Sequence, residues 1–192
     1  MYNIKRIVIV GGGAAGLEIV TLLGNLLGKT RFIEITLIDQ NLCYIWKPLW
    51  HEIAAGRIDV NKDVTEYLAH GNEHAFKFIL GSFYNIDRQA KVISLAPIAT
   101  NGIFIPENTL YYDILIFALG SVHNDFNIEG ASKYCLSFDS IEECNTFHNL
   151  LIMRLFELMQ TDQDQIDIVI VGGGSTGIEL VFEINNTIHN TN

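Results

Sequence analysis

Basic residues are scarce in this sequence. The 192 residues include 12 Lys and Arg against 22 Asp and Glu, which gives a formal net charge of -10. A broad phosphate-neutralising surface is unfavourable at this charge, so we expect no nucleic-acid partner. Any phosphate that the protein binds must be held mainly by backbone groups.

Cysteine is also scarce. The three cysteines, Cys43, Cys135 and Cys144, form no C-x-x-C pair and are odd in number. This favours a reduced, cytoplasmic setting over a disulfide framework. His70 and His74 are four residues apart, but the intervening Gly and Asn predict a break in the helix. We therefore interpret them as a loop pair without a third ligand and expect no metal site.

Long hydrophobic runs are missing as well. The stretch 7–28 has a single charge, Glu18, but it also has six glycines, and its unbroken apolar run covers only residues 7–10. This is typical of a soluble strand, turn and helix rather than a signal or anchor segment. Hydrophobic residues still make up 49% of the chain, enough for a core. At about 100–200 residues per domain, the length allows one domain and part of another.

The chain contains an internal repeat. Residues 7–20 read IVIVGGGAAGLEIV and residues 168–181 read IVIVGGGSTGIELV, identical at ten of fourteen positions. In each copy a β-branched run predicts a strand buried on both faces, and a G-x-G-x-x-G fingerprint then turns the chain into a helix. A pyrophosphate is held at the N-terminus of such a helix, where unpaired N–H groups and the helix dipole favour negative charge.

The three glycines of each fingerprint have distinct expected roles. The first makes the tight turn, the second lets the backbone approach the pyrophosphate, and the third allows close packing of helix on strand. These positions are Gly11, Gly13 and Gly16 in the first copy and Gly172, Gly174 and Gly177 in the second. The rest of the first predicted loop is Gly12, Ala14 and Ala15.

The context of the first fingerprint strengthens this interpretation. A helix over about 14–27 is followed by a predicted strand at 32–38 that ends at Asp39, 23 residues beyond Gly16. An acid at this place is positioned to accept hydrogen bonds from ribose hydroxyls. The alternative is a solvated carboxylate at a strand end. For the second copy, the same spacing falls beyond residue 192.

Further elements follow from local patterns. We predict a turn and short helix at 46–56, a helical segment at 63–69, and a small antiparallel excursion made of FKFIL, SFYNI and KVISL within 76–105. Residues 114–119 form an apolar run typical of a central parallel strand.

A long helix is predicted at about 139–160, opened by the capping box Ser140-x-x-Glu143. We interpret Cys144 and His148 on its apolar face as core or interface residues rather than reactive ones. The whole predicted face is Ile141, Cys144, His148, Leu151, Leu155 and Leu158.

Together these features resemble flavoproteins with two dinucleotide-binding domains. The segments WKPLWHEIAAGRID and YDILIFALGSVHNDFNIEG narrow the resemblance to type II NADH:quinone oxidoreductase, the single-subunit NADH dehydrogenase. The resemblance implies an α/β fold: a Rossmann-like FAD-binding domain with a small antiparallel excursion, and the start of a second, NADH-binding domain. It places these parts at 1–120 and 166–192, joined by a connecting segment at 121–165.

The resemblance also implies roles for individual residues. Glu179 matches an acid near the nicotinamide and flavin rings, and it is the one catalytic residue expected. Its equivalent in the first copy, Glu18, leaves open that both acids only favour the first helical turn. The implied cofactor-binding residues are Gly11, Gly12, Gly13, Ala14, Ala15, Gly16, Asp39, Gln40, Lys47, Phe83, Ala118, Gly120, Gly172, Gly174, Gly177 and Glu179.

One of these residues departs from the family pattern, and another has an alternative interpretation. Phe83 stands where the family usually has a smaller aliphatic residue against adenine. Lys47 falls in the segment that approaches the flavin in this family. The alternative is that Trp46 and Pro48 only pack the turn and that Lys47 is a solvated cation.

The implied reaction passes electrons from NADH through FAD to a quinone. Sulfide:quinone reductases share the architecture, but the cysteines match no sulfur-carrier pattern that we can identify. A competing expectation is that this chain is either a truncated, catalytically incomplete fragment or the partner of a separate C-terminal chain, and that it retains at most partial dinucleotide binding. The family's membrane-associating tail corresponds to a region after residue 192, so the expected location is cytoplasmic, at the inner face of the inner membrane when completed.

Overall fold

A computed structural model describes residues 4–57, 64–100, 103–161 and 165–190. The protein is an α/β structure. The strands in chain order are β1 (Lys5–Val10), β2 (Ile33–Asp39), β3 (Cys43–Tyr44), β4 (Thr65–Glu66), β5 (Lys77–Leu80), β6 (Ser82–Asp87), β7 (Val92–Ala96), β8 (Ile98–Thr100), β9 (Ile103–Ile105), β10 (Asn108–Tyr111) and β11 (Ile114–Phe117). The helices are α1 (Ala14–Leu27), α2 (Trp50–Ala54), α3 (Tyr67–His74), α4 (Ala131–Tyr134), α5 (Ile141–Gln160) and α6 (Ser175–Asn190), and a 3-10 turn at Lys47–Leu49 precedes α2.

The described residues form two compact units. One combines those of Met1–Tyr44 and Val64–Ser121, and the other combines those of Ile45–Asp63 and Val122–Asn192. The domain boundaries implied by the sequence resemblance stay predictions. None of the helices in the described ranges combines the length and hydrophobicity that a bilayer crossing needs.

A parallel sheet of four strands in the order β11-β1-β2-β5 organises the first unit. The β-branched run of β1 lies between β2 and β11, with Ile9 paired to Leu37 on one side and Ile116 on the other. Apolar clusters lie on both faces of β1: Ile7 and Ile9 pack in one, Val8 and Val10 in the other. This is the two-sided burial that parallel strands require, and it confirms the expected Rossmann-like α/β class.

The first helix, α1, has the predicted bounds. Its buried face is Gly16, Val20 and Gly24. A Cβ at Gly24 would lie 2.1 Å from the carbonyl oxygen of His74, so this glycine allows α1 to pack closely against the end of α3.

The predicted antiparallel excursion is confirmed, but the strands that form it differ from the predicted ones. Strands β10, β7 and β6 form it. Strands β8 and β9 form a separate two-stranded antiparallel sheet, which the sequence pattern did not predict. The prediction that FKFIL belongs to it is wrong, because β5, which contains most of this segment, pairs in parallel with β2. A short apolar run does not indicate which sheet it joins.

The prediction of a central strand at 114–119 is wrong for the described residues. There β11 pairs only with β1 and forms an edge of the sheet. Ile114 and Phe117 are about half exposed, at 53% and 48%. An apolar run thus does not specify how many neighbours a strand pairs with or how deeply its residues are buried.

The predicted break between His70 and His74 is also wrong, because α3 runs through both. The predicted segment 63–69 starts outside the described residues, and the helix itself begins at Tyr67. Gly71 is buried inside α3, and a Cβ there would lie 2.7 Å from the carbonyl oxygen of Phe76. This glycine therefore lets the returning chain pack against α3 and does not end the helix. The helix ends at His74, and Ala75 is its C-cap, with φ of 57°.

In the second unit, α2 packs against α5 and α6. The capping box at the start of α5 is confirmed: Ser140 Oγ accepts from the Glu143 N–H at 3.1 Å, and Glu143 Oε2 accepts from the Ser140 N–H at 3.2 Å. Cys144 is fully buried, and burial raises the pKa of its thiol to about 12. His148 Nδ1 lies 3.2 Å from the Ala54 carbonyl oxygen. Both residues are core contacts, as predicted.

The second β-branched run, at 168–171, does not pair as a strand in the described residues. Val169 and Val171 are 85% and 80% exposed. A β-branched run becomes a buried strand only where neighbouring strands supply hydrogen bonds and other layers cover its faces. In the described part of this unit, residues 168–171 have no strand partner.

Replacing Ser140 with Ala is expected to lower the free energy of unfolding by about 1 kcal/mol, because the cap of α5 is lost. Urea unfolding followed by circular dichroism measures it. Thr146→Ala is the matched control, since that hydroxyl donates only to the Glu142 carbonyl within the same helix. Equal stability of Ser140→Ala and the unaltered chain would contradict the assignment.

Candidate functional site

The first glycine loop lies where three parallel strands end. From β1 the chain continues to β2 on one side, while β11 pairs on the other side of β1. The carboxyl ends of these strands therefore border a change in strand order. Open α/β sheets bind ligands in the crevice at such a point.

The base of this loop is packed tightly. Gly11 has φ of 102°, a conformation that favours glycine, and a Cβ there would lie 2.4 Å from the Ala118 carbonyl oxygen. A Cβ at Gly16 would lie 1.8 Å from the Gly11 carbonyl oxygen. Both positions therefore require glycine for packing alone, whatever ligand the loop binds.

The outer side of the loop is open. A Cβ at Gly13 would have no atom within 4 Å, and Ala14 and Ala15 are exposed at the start of α1. Gly13 is the N-cap and provides no side-chain hydrogen bond. The first backbone N–H groups of a helix without a side-chain cap are suited to an anion such as a pyrophosphate.

The peptide groups of Gly12 are fixed from two directions. Asp39 Oδ2, at the end of β2, accepts from the Gly12 N–H at 2.6 Å. The Tyr67 hydroxyl, at the start of α3, donates to the Gly12 carbonyl at 2.7 Å. We call this pair of bonds the Gly12 clamp. Asp39 Oδ1 accepts from the Asn41 N–H at 2.8 Å. A carboxylate has about four acceptor positions, so Asp39 retains capacity for a ribose hydroxyl.

Tyr67 is a residue that the sequence interpretation missed. It is 2% exposed, and burial, with a smaller contribution from the Asp39 carboxylate, raises the pKa of its hydroxyl. The hydroxyl is therefore a neutral, permanent donor. No spacing or motif marks it, because its partner is 55 residues away.

Three other predicted residues lie in this unit near the strand ends. The Ala118 N–H donates to the Val10 carbonyl at 2.8 Å, which brings the chain after β11 against the base of the loop. Gly120 faces open space at its Cβ position. Gln40 follows β2 and is exposed. A fourth predicted residue, Phe83 on β6, packs against Phe117, with 5.1 Å between the ring centroids.

The second loop, in the other unit, has the same internal geometry. Gly172 has φ of 113°, and a Cβ at Gly177 would lie 2.6 Å from the Gly172 carbonyl oxygen. A Cβ at Gly174 would have no atom within 4 Å. Ten shared positions thus produce the same turn in two different surroundings.

The catalytic candidate, Glu179, is half exposed on α6, and its Oε2 lies 3.4 Å from Nδ1 of the largely buried His51. The sequence interpretation did not single out His51, although it stands in the WKPLWHEIAAG segment. Lys47 holds its ammonium 4.9 Å from the centre of the Trp50 ring. Within this unit, therefore, His51 contacts Glu179.

Comparisons with known proteins agree with this geometry. The type II NADH:quinone oxidoreductase of Haemophilus influenzae is 39% identical over 94% of this chain and 45% of its own length. That of Staphylococcus haemolyticus is 29% identical over 96% of the chain and 44% of its own length. The chain thus spans about half the length of the curated relatives it matches, and the resemblance read from the sequence is confirmed.

Solved structures agree on the fold. The structure of NDH2 from Plasmodium falciparum in complex with NADH has a TM-score of 0.77 at 22% identity and covers 97% of this chain and 38% of its own. The sequence profile of the pyridine nucleotide-disulphide oxidoreductases matches residues 5–190. The chain therefore belongs to the pyridine nucleotide-disulphide oxidoreductase family.

Proposed function

We propose that this protein is a flavin-dependent oxidoreductase whose first glycine loop binds FAD. The observation that carries the proposal is the loop itself: packed at its base, fixed by the Gly12 clamp, and open at Gly13 beside the start of α1. Bound flavin supplies the hydride and electron-transfer chemistry, and the chain binds and orients it.

In this proposal, different residues around the loop contact different parts of FAD. Asp39 and Gln40 bind the adenosine ribose, and Phe83 borders the adenine. Ala118 and Gly120 let the chain after β11 pass close to the flavin nucleotide. The roles of Asp39 and Ala118 are supported by their hydrogen bonds: Asp39 accepts from the Gly12 N–H of the loop, and the Ala118 N–H donates to the Val10 carbonyl at the end of β1.

The second loop, at Gly172, Gly174 and Gly177, binds the NADH pyrophosphate in this proposal. Glu179 lies near the reacting rings and His51 holds its carboxylate in place, which the 3.4 Å contact supports. Lys47 lies in the segment that approaches the flavin side of the site in this proposal. We propose a quinone as electron acceptor, because the relatives carry that reaction in their names. We further propose that this acceptor is met at a membrane surface, through a region supplied by another chain or segment.

Replacing Asp39 with Asn is expected to weaken FAD binding by about tenfold or more, since a charged acceptor for two N–H groups and a ribose hydroxyl is lost. Flavin fluorescence quenching measures the Kd. Asp87→Asn is the matched control, because Asp87, the last residue of β6, also accepts two backbone N–H bonds. An unchanged Kd for Asp39→Asn would contradict the assignment.

Replacing Tyr67 with Phe leaves the Gly12 carbonyl without its buried donor. We expect the free energy of unfolding to fall by about 1–2 kcal/mol and FAD binding to weaken as the loop loosens. Tyr111→Phe, at an exposed tyrosine of β10, is the control. Equal FAD affinity in Tyr67→Phe and the unaltered chain would show that the clamp does not serve binding.

Experiments on the 192-residue chain can test FAD binding by the first loop and the use of NADH by the second loop separately. Residues 168–171 form no strand pairs in the described structure, and Val169 and Val171 are exposed. We therefore expect the chain to take up FAD but NADH to leave the absorbance of that flavin unchanged. Dithionite, which needs no binding site, should bleach it and is the control. Rapid bleaching by NADH would contradict the proposed incompleteness, and failure to take up FAD after reconstitution would contradict the FAD site.

A further inference from the structure

A cluster of possible metal ligands lies on α3, apart from the glycine loop. His70, Glu73 and His74 share one face of this helix, as residues three and four apart do. Each offers one ligand atom, and these atoms lie within 4.8 Å of one another. The imidazole centroids of His70 and His74 are 4.2 Å apart.

The tautomer of His70 follows from its partner on α1. The Thr21 hydroxyl donates its single proton to the Leu17 carbonyl at 2.7 Å. It must therefore accept in its 2.8 Å contact with Nε2 of His70, so Nε2 carries the proton. The lone pair of the neutral ring is left on Nδ1.

The tautomer of His74 follows in the same way. Its Nδ1 lies 2.9 Å from Asn25 Oδ1, an amide oxygen that can only accept. Nδ1 therefore carries the proton and Nε2 has the lone pair. That Nε2 lies 3.9 Å from Oε2 of Glu73.

The arrangement is the one that metal-binding histidines generally have. A ligating imidazole usually donates its second N–H to an oxygen, which fixes both the tautomer and the ring orientation. Here α1 provides both oxygens. Burial, with a contribution from His74, lowers the pKa of His70, which favours the neutral ring that a metal needs.

We propose that His70, Glu73 and His74 bind a divalent transition-metal ion of the Zn²⁺ type. Two imidazoles and a carboxylate suit such an ion, and water completes the coordination. Tetrahedral zinc with bonds of about 2.0–2.1 Å places its ligands about 3.3 Å apart, so the cluster must contract. The Glu73 side chain, 75% exposed, is free to move toward the two rings. This inference does not depend on the proposed redox function.

The test is a titration of the chelator-treated, full 192-residue chain with Zn²⁺ against a chromophoric indicator. We expect one tight site per chain. His70→Gln and His74→Gln should each weaken binding about tenfold or more, and Thr21→Val, which keeps all three ligands, should weaken it about tenfold. Co²⁺ in place of Zn²⁺ should give a visible d–d spectrum that both His variants lose.

Two further variants complete the test. His189→Ala removes an exposed histidine of α6 and should leave the affinity unchanged. Glu73→Gln changes only an exposed side chain, so it remains informative even if a His variant fails to fold, and it should weaken binding severalfold. The proposal would be overturned if Glu73→Gln and a folded His70→Gln or His74→Gln variant all kept the Zn²⁺ affinity of the unaltered chain. Loss of Zn²⁺ binding in His189→Ala would also overturn it.

Discussion

The Gly12 clamp joins three parts of the first unit at one point. Its two bonds come from Asp39 at the end of β2 and from Tyr67 at the start of α3. Buried backbone groups are nearly always paired, and an orphaned one costs about 1–3 kcal/mol. The loop, the strand end and the first turn of α3 therefore hold their positions together. Because α1 begins directly after the loop, the direction of its free N–H groups depends on the same two bonds.

Comparison of the two fingerprint copies shows which features of their structure depend on local sequence and which depend on the rest of the fold. The turn at Gly11 and the turn at Gly172 have φ of 102° and 113°, although only the first is bordered by paired strands in the described residues. The glycines and the following helix thus encode the turn by themselves. A strand is different, since its backbone groups need partners from distant parts of the chain. The same four letters, IVIV, are consequently a buried strand in one copy and an exposed segment in the other.

Local signals explain what the sequence predicted well. The bounds of α1 and the capped start of α5 follow from glycine spacing and from Ser140 with Glu143, all within a few residues. Errors arose where a distant contact decides. Gly71 continues a helix because Phe76 returns against it, and the strand β5 joins a sheet that its own sequence does not specify. Tyr67 could not be predicted at all, since nothing near it in the chain indicates that its hydroxyl meets Gly12.

The uncapped start of α1 also bears on how quickly a ligand comes and goes. With a formal net charge of -10, the chain is expected to repel an anionic ligand at long range, and the backbone N–H groups of the loop attract such a ligand only at short range. Repulsion at a distance slows association, so tight binding under these conditions must come from slow dissociation. A site of this kind suits a group that stays with the protein through many turnovers better than one that exchanges in each.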